Sequence, residues 1–177
     1  MAFISNPKAL CGKYVTLREV NESDARFILD LRLNPEKARG FVRPIENNLQ
    51  KQIDYIRHYK TLSDEWYFLI EAKAGERLGV ISIYDLRPDS FGAGRWLMSD
   101  NATPQQVIEG ELLMKNYGFN VLGYPQMHFD VLKNNKKVLK FHYLWDATQV
   151  DENEQEIFFI LSKENFEKNK SKIERML

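Results

Sequence analysis

This chain has little that would tie it to a special environment. Its single cysteine, Cys11, cannot support an internal disulfide framework, so a packed core has to stabilise it and a reducing, cytoplasmic setting is expected. The formal charge is +0 at pH 7, which removes any global pull toward nucleic acid or an anionic membrane. No apolar run approaches membrane-spanning length, and residues 1–13 have neither the basic start nor the long apolar stretch of a secretory signal. His58 and His128 have no cysteine, histidine or carboxylate at ligand spacing, which argues against a metal centre. No internal repeat, linker or low-complexity block divides the chain, and 177 residues are enough for one sizeable core. A single domain over residues 1–177 is expected.

The patterns that are present alternate between the two periods. Residues 14–20 (YVTLREV) alternate as a half-buried strand does, and the polar cluster 21–24 leads into a helix over 25–33 that stops at Asn34-Pro35. Residues 35–48 lack periodicity and read as a loop, and 49–59 read as a second helix with Ile53 and Ile56 on one face. Three strands follow at 66–71, 78–84 and 94–99, with turn signals between them that indicate an antiparallel meander. Thr103-Pro104 caps a helix over 105–120, a strand is expected at 127–132, and 148–150 with 157–161 form a closing hairpin before a terminal helix in 162–177. The class is mixed α/β: a largely antiparallel central sheet flanked by helices on both faces.

Residues 134–147 (NNKKVLKFHYLWDA) stand out. They follow directly on a strand, open with two asparagines able to cap, and repeat apolar residues at Val138, Phe141 and Trp145. A helix that starts at a strand end aims free N–H groups at whatever lies there.

The ordered set of NYGFNVLG, a strand ending VLKNN, and KKVLKFHYLWDA resembles the GNAT-type N-acetyltransferases. The segments LRLNP, YFLIE and GRWLM resemble one branch in particular. It holds the ribosomal-protein alanine acetyltransferases and the enzymes that acetylate nucleotide-linked deoxy-amino sugars. Such a resemblance implies acetyl-CoA as co-substrate, a small-molecule amine such as a sugar nucleotide as acceptor, no nucleic-acid or membrane partner, and is compatible with a homodimer. Two other readings stay open: acetylation of protein N-termini, and a non-catalytic binding module. The second is motivated by a departure, since the family's glycine-rich pyrophosphate loop falls here on Ala102, Gln105 and Val107.

The same resemblance assigns roles. Asn135 matches the asparagine that holds the pantetheine arm, with helix N-cap as its plain alternative; His142, two turns on, stands where a Tyr or His meets the cofactor sulfur. A histidine with its ordinary pKa suits protonation of a leaving thiolate, and Tyr143 is the fallback acid. Leu97, Met98 and Ser99 correspond to the strand whose backbone pairs with pantetheine and, near Met98, steadies the oxyanion. Backbone donors at Gln106, Val107 and Ile108 remain for the pyrophosphate, and Lys140, within the cluster of Lys133, Lys136 and Lys137, for the adenosine phosphates. Asp85 is the expected base, with Glu71 behind it and turn chemistry as the alternative. Arg32, Asn34, Arg39 and Arg43 frame the substrate lid, while Trp96 and Arg95 flank the pantetheine strand, Arg95 toward a substrate phosphate.

Overall fold

Strand β3, Trp66–Ala72, sets the layering. Its apolar residues do not alternate with polar ones: Trp66, Phe68 and Ile70 enter one core while Tyr67 and Leu69 enter another. A strand buried on both faces reads as a continuous apolar run, and this one does. The computed structural model describes residues 9–38 and 43–177, so Arg39 and Gly40 of the expected loop lie outside the described residues.

Around β3 lie β1 (Leu10–Cys11), β2 (Val15–Glu19), β4 (Arg77–Tyr84), β5 (Ser90–Met98), β6 (Gln126–Leu132), β7 (Thr148–Glu152) and β8 (Glu156–Ser162), in the spatial order β1-β2-β3-β4-β5-β6-β8-β7. On one face, α1 (Ala25–Leu33) and α3 (Leu49–Tyr59) bury Ile28, Ile56 and Tyr59 against Tyr67, Leu69 and Val80. On the other, α4 (Pro104–Asn116), α5 (Lys136–Leu144) and α6 (Lys163–Glu174) place Leu112, Leu139, Trp145 and Phe166 on the larger core. A helical turn α2, Pro35–Ala38, occupies part of what the sequence leaves as loop. Asn21 caps the entry to α1 through a reciprocal bond with Asp24, and Asn48 caps α3. The helix expected over 105–120 is α-helical only to Asn116 and closes in a π-helical turn, Tyr117–Val121. None of the described helices is long and apolar enough to cross a membrane.

Every neighbouring pair in the sheet is antiparallel except β5 and β6, which run parallel across the α4 crossover. They pair over three residues each, Ser90 to Gly92 with Gln126 to His128. Beyond Gly92 and His128 the strands separate, and the backbone edges of Ala93–Met98 and Phe129–Leu132 face each other across a gap. That gap is the main consequence of the fold for function.

The helix that forms one wall of the gap is pinned to the first strands by one carboxylate. Glu109 of α4, 5% exposed, accepts the backbone N–H groups of Lys13 (2.7 Å), Tyr14 (2.6 Å) and Val15 (2.8 Å). Position 12 has to be glycine here, since a Cβ on Gly12 would collide with the Glu109 carboxyl. Glu109→Gln offers one acceptor oxygen for three donors and sets an NH2 against an N–H. It is expected to cost about 2 kcal/mol, read as a lower urea midpoint at unchanged m-value.

Candidate active site

A cavity of 430 Å³ fills the gap between β5 and β6. Its walls come from both free strand edges, from α4 and α5 on one face, and from the end of α1 on the other. The sequence-expected residues His142, Asn135, Leu97, Trp96, Arg32 and Arg43 all line it. Long-range folding therefore unites residues spread over 110 positions, counted from Arg32 to His142.

Asn135 is a helix cap that also lines the cavity. Its Oδ1 accepts the Val138 N–H (3.3 Å) as the α5 cap, and the residue lines the cavity. His142 is 7% exposed and lies 4.2 Å from the Phe129 ring, centre to centre, with Trp96 at 6.3 Å. Its Nδ1 is buried without a partner among the described residues, and so is the Trp96 indole N–H. A buried polar atom without a partner costs about 1–3 kcal/mol, so two beside one cavity mark where a ligand completes the hydrogen bonding.

The charge state expected of His142 is corrected. Burial pushes its pKa well below the ordinary value, with Lys115 a smaller contribution, and burial lowers the pKa of Lys115 as well. The imidazole is neutral, so it acts as a fixed hydrogen-bonding group rather than as a cation that sheds its proton near pH 7. Lys115 is fully buried, paired with Glu111 one turn earlier on α4 and packed under the Trp145 ring at 5.1 Å. Tyr143 is half exposed and packs on Phe159 outside the cavity.

Asp85 is not where a base would stand. A left-handed backbone (φ 49°) at the end of β4 turns it to a smaller neighbouring cavity of 190 Å³. There its carboxylate accepts from Arg87 (2.7 Å) and from His128 Nε2 (3.0 Å), whose Nδ1 accepts from the Ser90 hydroxyl at 2.9 Å. Those bonds, His128 first, hold its pKa below the ordinary carboxylate range and weaken it as a base. Glu71 is likewise engaged, by Arg18 at 2.9 Å. The carboxyls that do line the cavity are Asp130, Glu156 and Glu111. Burial, with Glu156 beside it, raises the Asp130 carboxyl above the ordinary range. Arg43 bridges this pair, at 2.6 Å from Glu156 and 3.8 Å from Asp130, and so straps the segment it belongs to across β6 and β8. Sequence reasoning missed Asp130 and Glu156 because period-2 alternation was their only local signal.

The remaining residues divide differently from expectation. Asn34 accepts the Glu36 N–H (2.9 Å) and caps α2. Met98 ends β5 and Ser99 follows it, its backbone N–H donating to the Leu78 carbonyl; Lys140 is exposed on α5. At the start of α4, Thr103 and Gln106 close a capping box: Thr103 Oγ1 accepts the Gln106 N–H (3.3 Å) and Gln106 Oε1 accepts the Thr103 N–H (2.9 Å). Val107 N–H is spent on the Thr103 carbonyl (3.0 Å), and Pro104 has none. Ile108 falls inside the helix ladder. The donors expected for a pyrophosphate are therefore committed within the helix, and none of Gln106, Val107 and Ile108 lines the cavity.

Comparison with known proteins points one way. A family model for an acetyltransferase (GNAT) domain matches residues 15–142. The acetyltransferase PseH of Campylobacter jejuni is 24% identical over 153 residues, 86% of this chain and 94% of PseH. Among solved structures, FdhC, a nucleotide-linked sugar GNAT, is 33% identical with a TM-score of 0.82 over 97% of each chain. A GCN5-related N-acetyltransferase from Brucella melitensis gives 0.75 at 16% identity, over 97% of this chain and 86% of its own, and shows likeness of fold alone.

Proposed function

Because this chain belongs to the GNAT acetyltransferase family, we propose that it acetylates the primary amine of a nucleotide-linked amino sugar. The observation that carries the reading is the cavity between the separated β5 and β6, with His142 Nδ1 and the Trp96 N–H buried beside it and unpartnered among the described residues. The acceptor class rests on the similarity to FdhC at 33% identity. Acetyl-CoA, the co-substrate of GNAT acetyltransferases, supplies the acetyl group as a thioester.

The residues present fit the pantetheine half of that molecule. Its amides are extended and find a strand partner in the free edge of β5, as a peptide does when it extends a sheet. A backbone N–H on that edge polarises the carbonyl under attack. As the amine nitrogen bonds to the acetyl carbon and the carbon–sulfur bond breaks, neutral His142 would donate a hydrogen bond to the departing sulfur, and the second proton of the nitrogen would pass to that sulfur so that it leaves as the thiol. Asp130 takes the proton that the ammonium must lose first. The phosphate half fits less well, because the start of α4 is closed on itself.

The pH sign for Asp130 follows from its environment. Glu156, Arg43 and Tyr84 face it. A raised pKa means that falling pH protonates Asp130 earlier than an ordinary carboxylate, so activity is lost on the acid side. Asp130→Asn is expected to lower kcat about tenfold and to flatten that acid limb, while Asp85→Asn leaves the limb in place. The function itself is tested by calorimetry with acetyl-CoA and by thiol release over a panel of amines. Binding, and release with nucleotide-linked amino sugars, are expected; release with protein N-terminal peptides alone would overturn the acceptor assignment.

A further inference from the structure

We propose that Arg95 and Arg32 form a preorganised oxyanion seat at the acceptor end of the cavity, which binds the diphosphate of the sugar nucleotide. This rests on the acceptor reading above and adds the site that distinguishes a nucleotide-linked sugar from a free one.

Arg95 is placed by a backbone irregularity. In the β4–β5 ladder Val80 pairs with Leu97 and Ser82 with Gly94, so Arg95 and Trp96 together oppose Ile81 alone. This is a β-bulge, and Arg95 takes φ 51° within it. A left-handed conformation costs a non-glycine residue about 1 kcal/mol and persists where the surroundings enforce it. The bulge turns the guanidinium onto Tyr84, at 4.6 Å from the ring centre, with Tyr55 and Tyr67 at 5.7 Å each. Gly94 is part of the device, since a Cβ there would stand 2.6 Å from the Tyr84 hydroxyl. Nη1 of Arg95 donates to Glu65 Oε2 at 3.0 Å, and among the described residues the guanidinium makes no other hydrogen bond.

Arg32, in the last turn of α1, lines the same cavity. Among the described residues its Nε is buried with no partner, and Nη2 makes one long bond, 3.5 Å, to the Arg43 carbonyl. Burial pushes the Tyr67 hydroxyl up to about 12, and both Arg32 and Arg95 oppose that rise, so both guanidiniums act on the same hydroxyl. The charges there do not balance. Among the described residues Glu65 pairs with Arg95 alone, while Asp130 and Glu156 are engaged by Arg43. Two planar forks with free N–H edges, one already immobilised by three rings, suit a group with several adjacent phosphate oxygens. Because the rotamer entropy is lost before binding, more of each hydrogen bond appears as affinity.

The test uses the full chain saturated with CoA, so that the cofactor's own phosphate site is filled. Inorganic pyrophosphate is titrated by calorimetry into wild type, Arg95→Gln and Arg32→Gln; the second variant leaves the Arg95–Glu65 pair intact. Each variant is expected to weaken pyrophosphate about tenfold and to shrink the kcat/KM advantage of nucleotide-linked over free amino sugar by a similar factor. Equal pyrophosphate affinity in all three proteins, or an unchanged advantage while both acceptors slow together, would overturn the seat. Turnover of no nucleotide-linked sugar by wild type would instead remove the acceptor assignment, and the pyrophosphate titration would still decide the seat.

Discussion

His142→Ala is expected to lower kcat by about 100-fold while acetyl-CoA affinity changes by only a few-fold. The split follows from where the imidazole lies. In the proposed complex it would contribute little to holding an extended pantetheine, whose amides would pair with the β5 edge, but it would stand beside the sulfur that gains charge as the thioester breaks. Its neutral state adds a second, sharper expectation. Burial among Phe129, Phe141 and Trp96, with Lys115 a smaller contribution, disfavours the imidazolium. Falling pH therefore leaves His142 unprotonated through its ordinary titration range. The kcat profile of the wild type should show no limb near pH 6.5 that His142→Gln removes. Loss of turnover and cofactor affinity by the same factor would reduce His142 to a packing residue.

Asp24→Ala is expected to cost about 3 kcal/mol, the largest stability effect among the polar residues considered. Asp24 is fully buried at the entry to α1. It accepts both Arg18 Nη groups (2.8 and 2.9 Å), Arg77 Nε (2.8 Å) and the Asn21 N–H (2.9 Å). Alanine leaves two guanidiniums without their common counter-ion and unties the cap of the helix that carries Arg32. The pH dependence has a definite sign. Burial alone would raise the Asp24 pKa, but the arginines and the Asn21 N–H outweigh it and the net shift is downward. Its contribution is thus fully present above about pH 4, the unfolded carboxylate value, and fades as pH falls through the lower folded value. In urea titrations the gap between wild type and Asp24→Asn should be widest near neutrality and close in acid. A gap that persists unchanged below pH 3 would mean that the cost is steric.

How much of this was legible varies with how local the cause is. Helices α1 and α3 begin and end where the sequence places them, because Asn-rich caps and an Asn-Pro stop are local signals. Strand β5 begins at Ser90 rather than at 94, because Pro88 to Gly92 read as a turn; the tertiary reason for Gly92 and Gly94 is the Tyr84 backbone and ring lying against β5. The two-residue β1 is too short for a period, and the π-helical turn after Asn116 keeps the helical pattern while changing its hydrogen bonds. Asn135 and His142 both line the cavity, as the shared face of two residues seven positions apart on one helix leads one to expect. That Asp85 lies outside the main cavity was not legible, because its partner His128 is 43 positions away. The capping box of Thr103 and Gln106 was readable as T-x-x-Q, and the structure shows what it implies: those two donors are taken. The bulge that aims Arg95 has no sequence signature, since any strand residue can occupy one.

The most direct test of the account is the rate of thiol release from acetyl-CoA with one amino sugar presented in two forms, free and nucleotide-linked. The account predicts a kcat/KM at least about 100-fold higher for the nucleotide-linked form. Equal values for the two forms, or faster release with a protein N-terminal peptide, would contradict it.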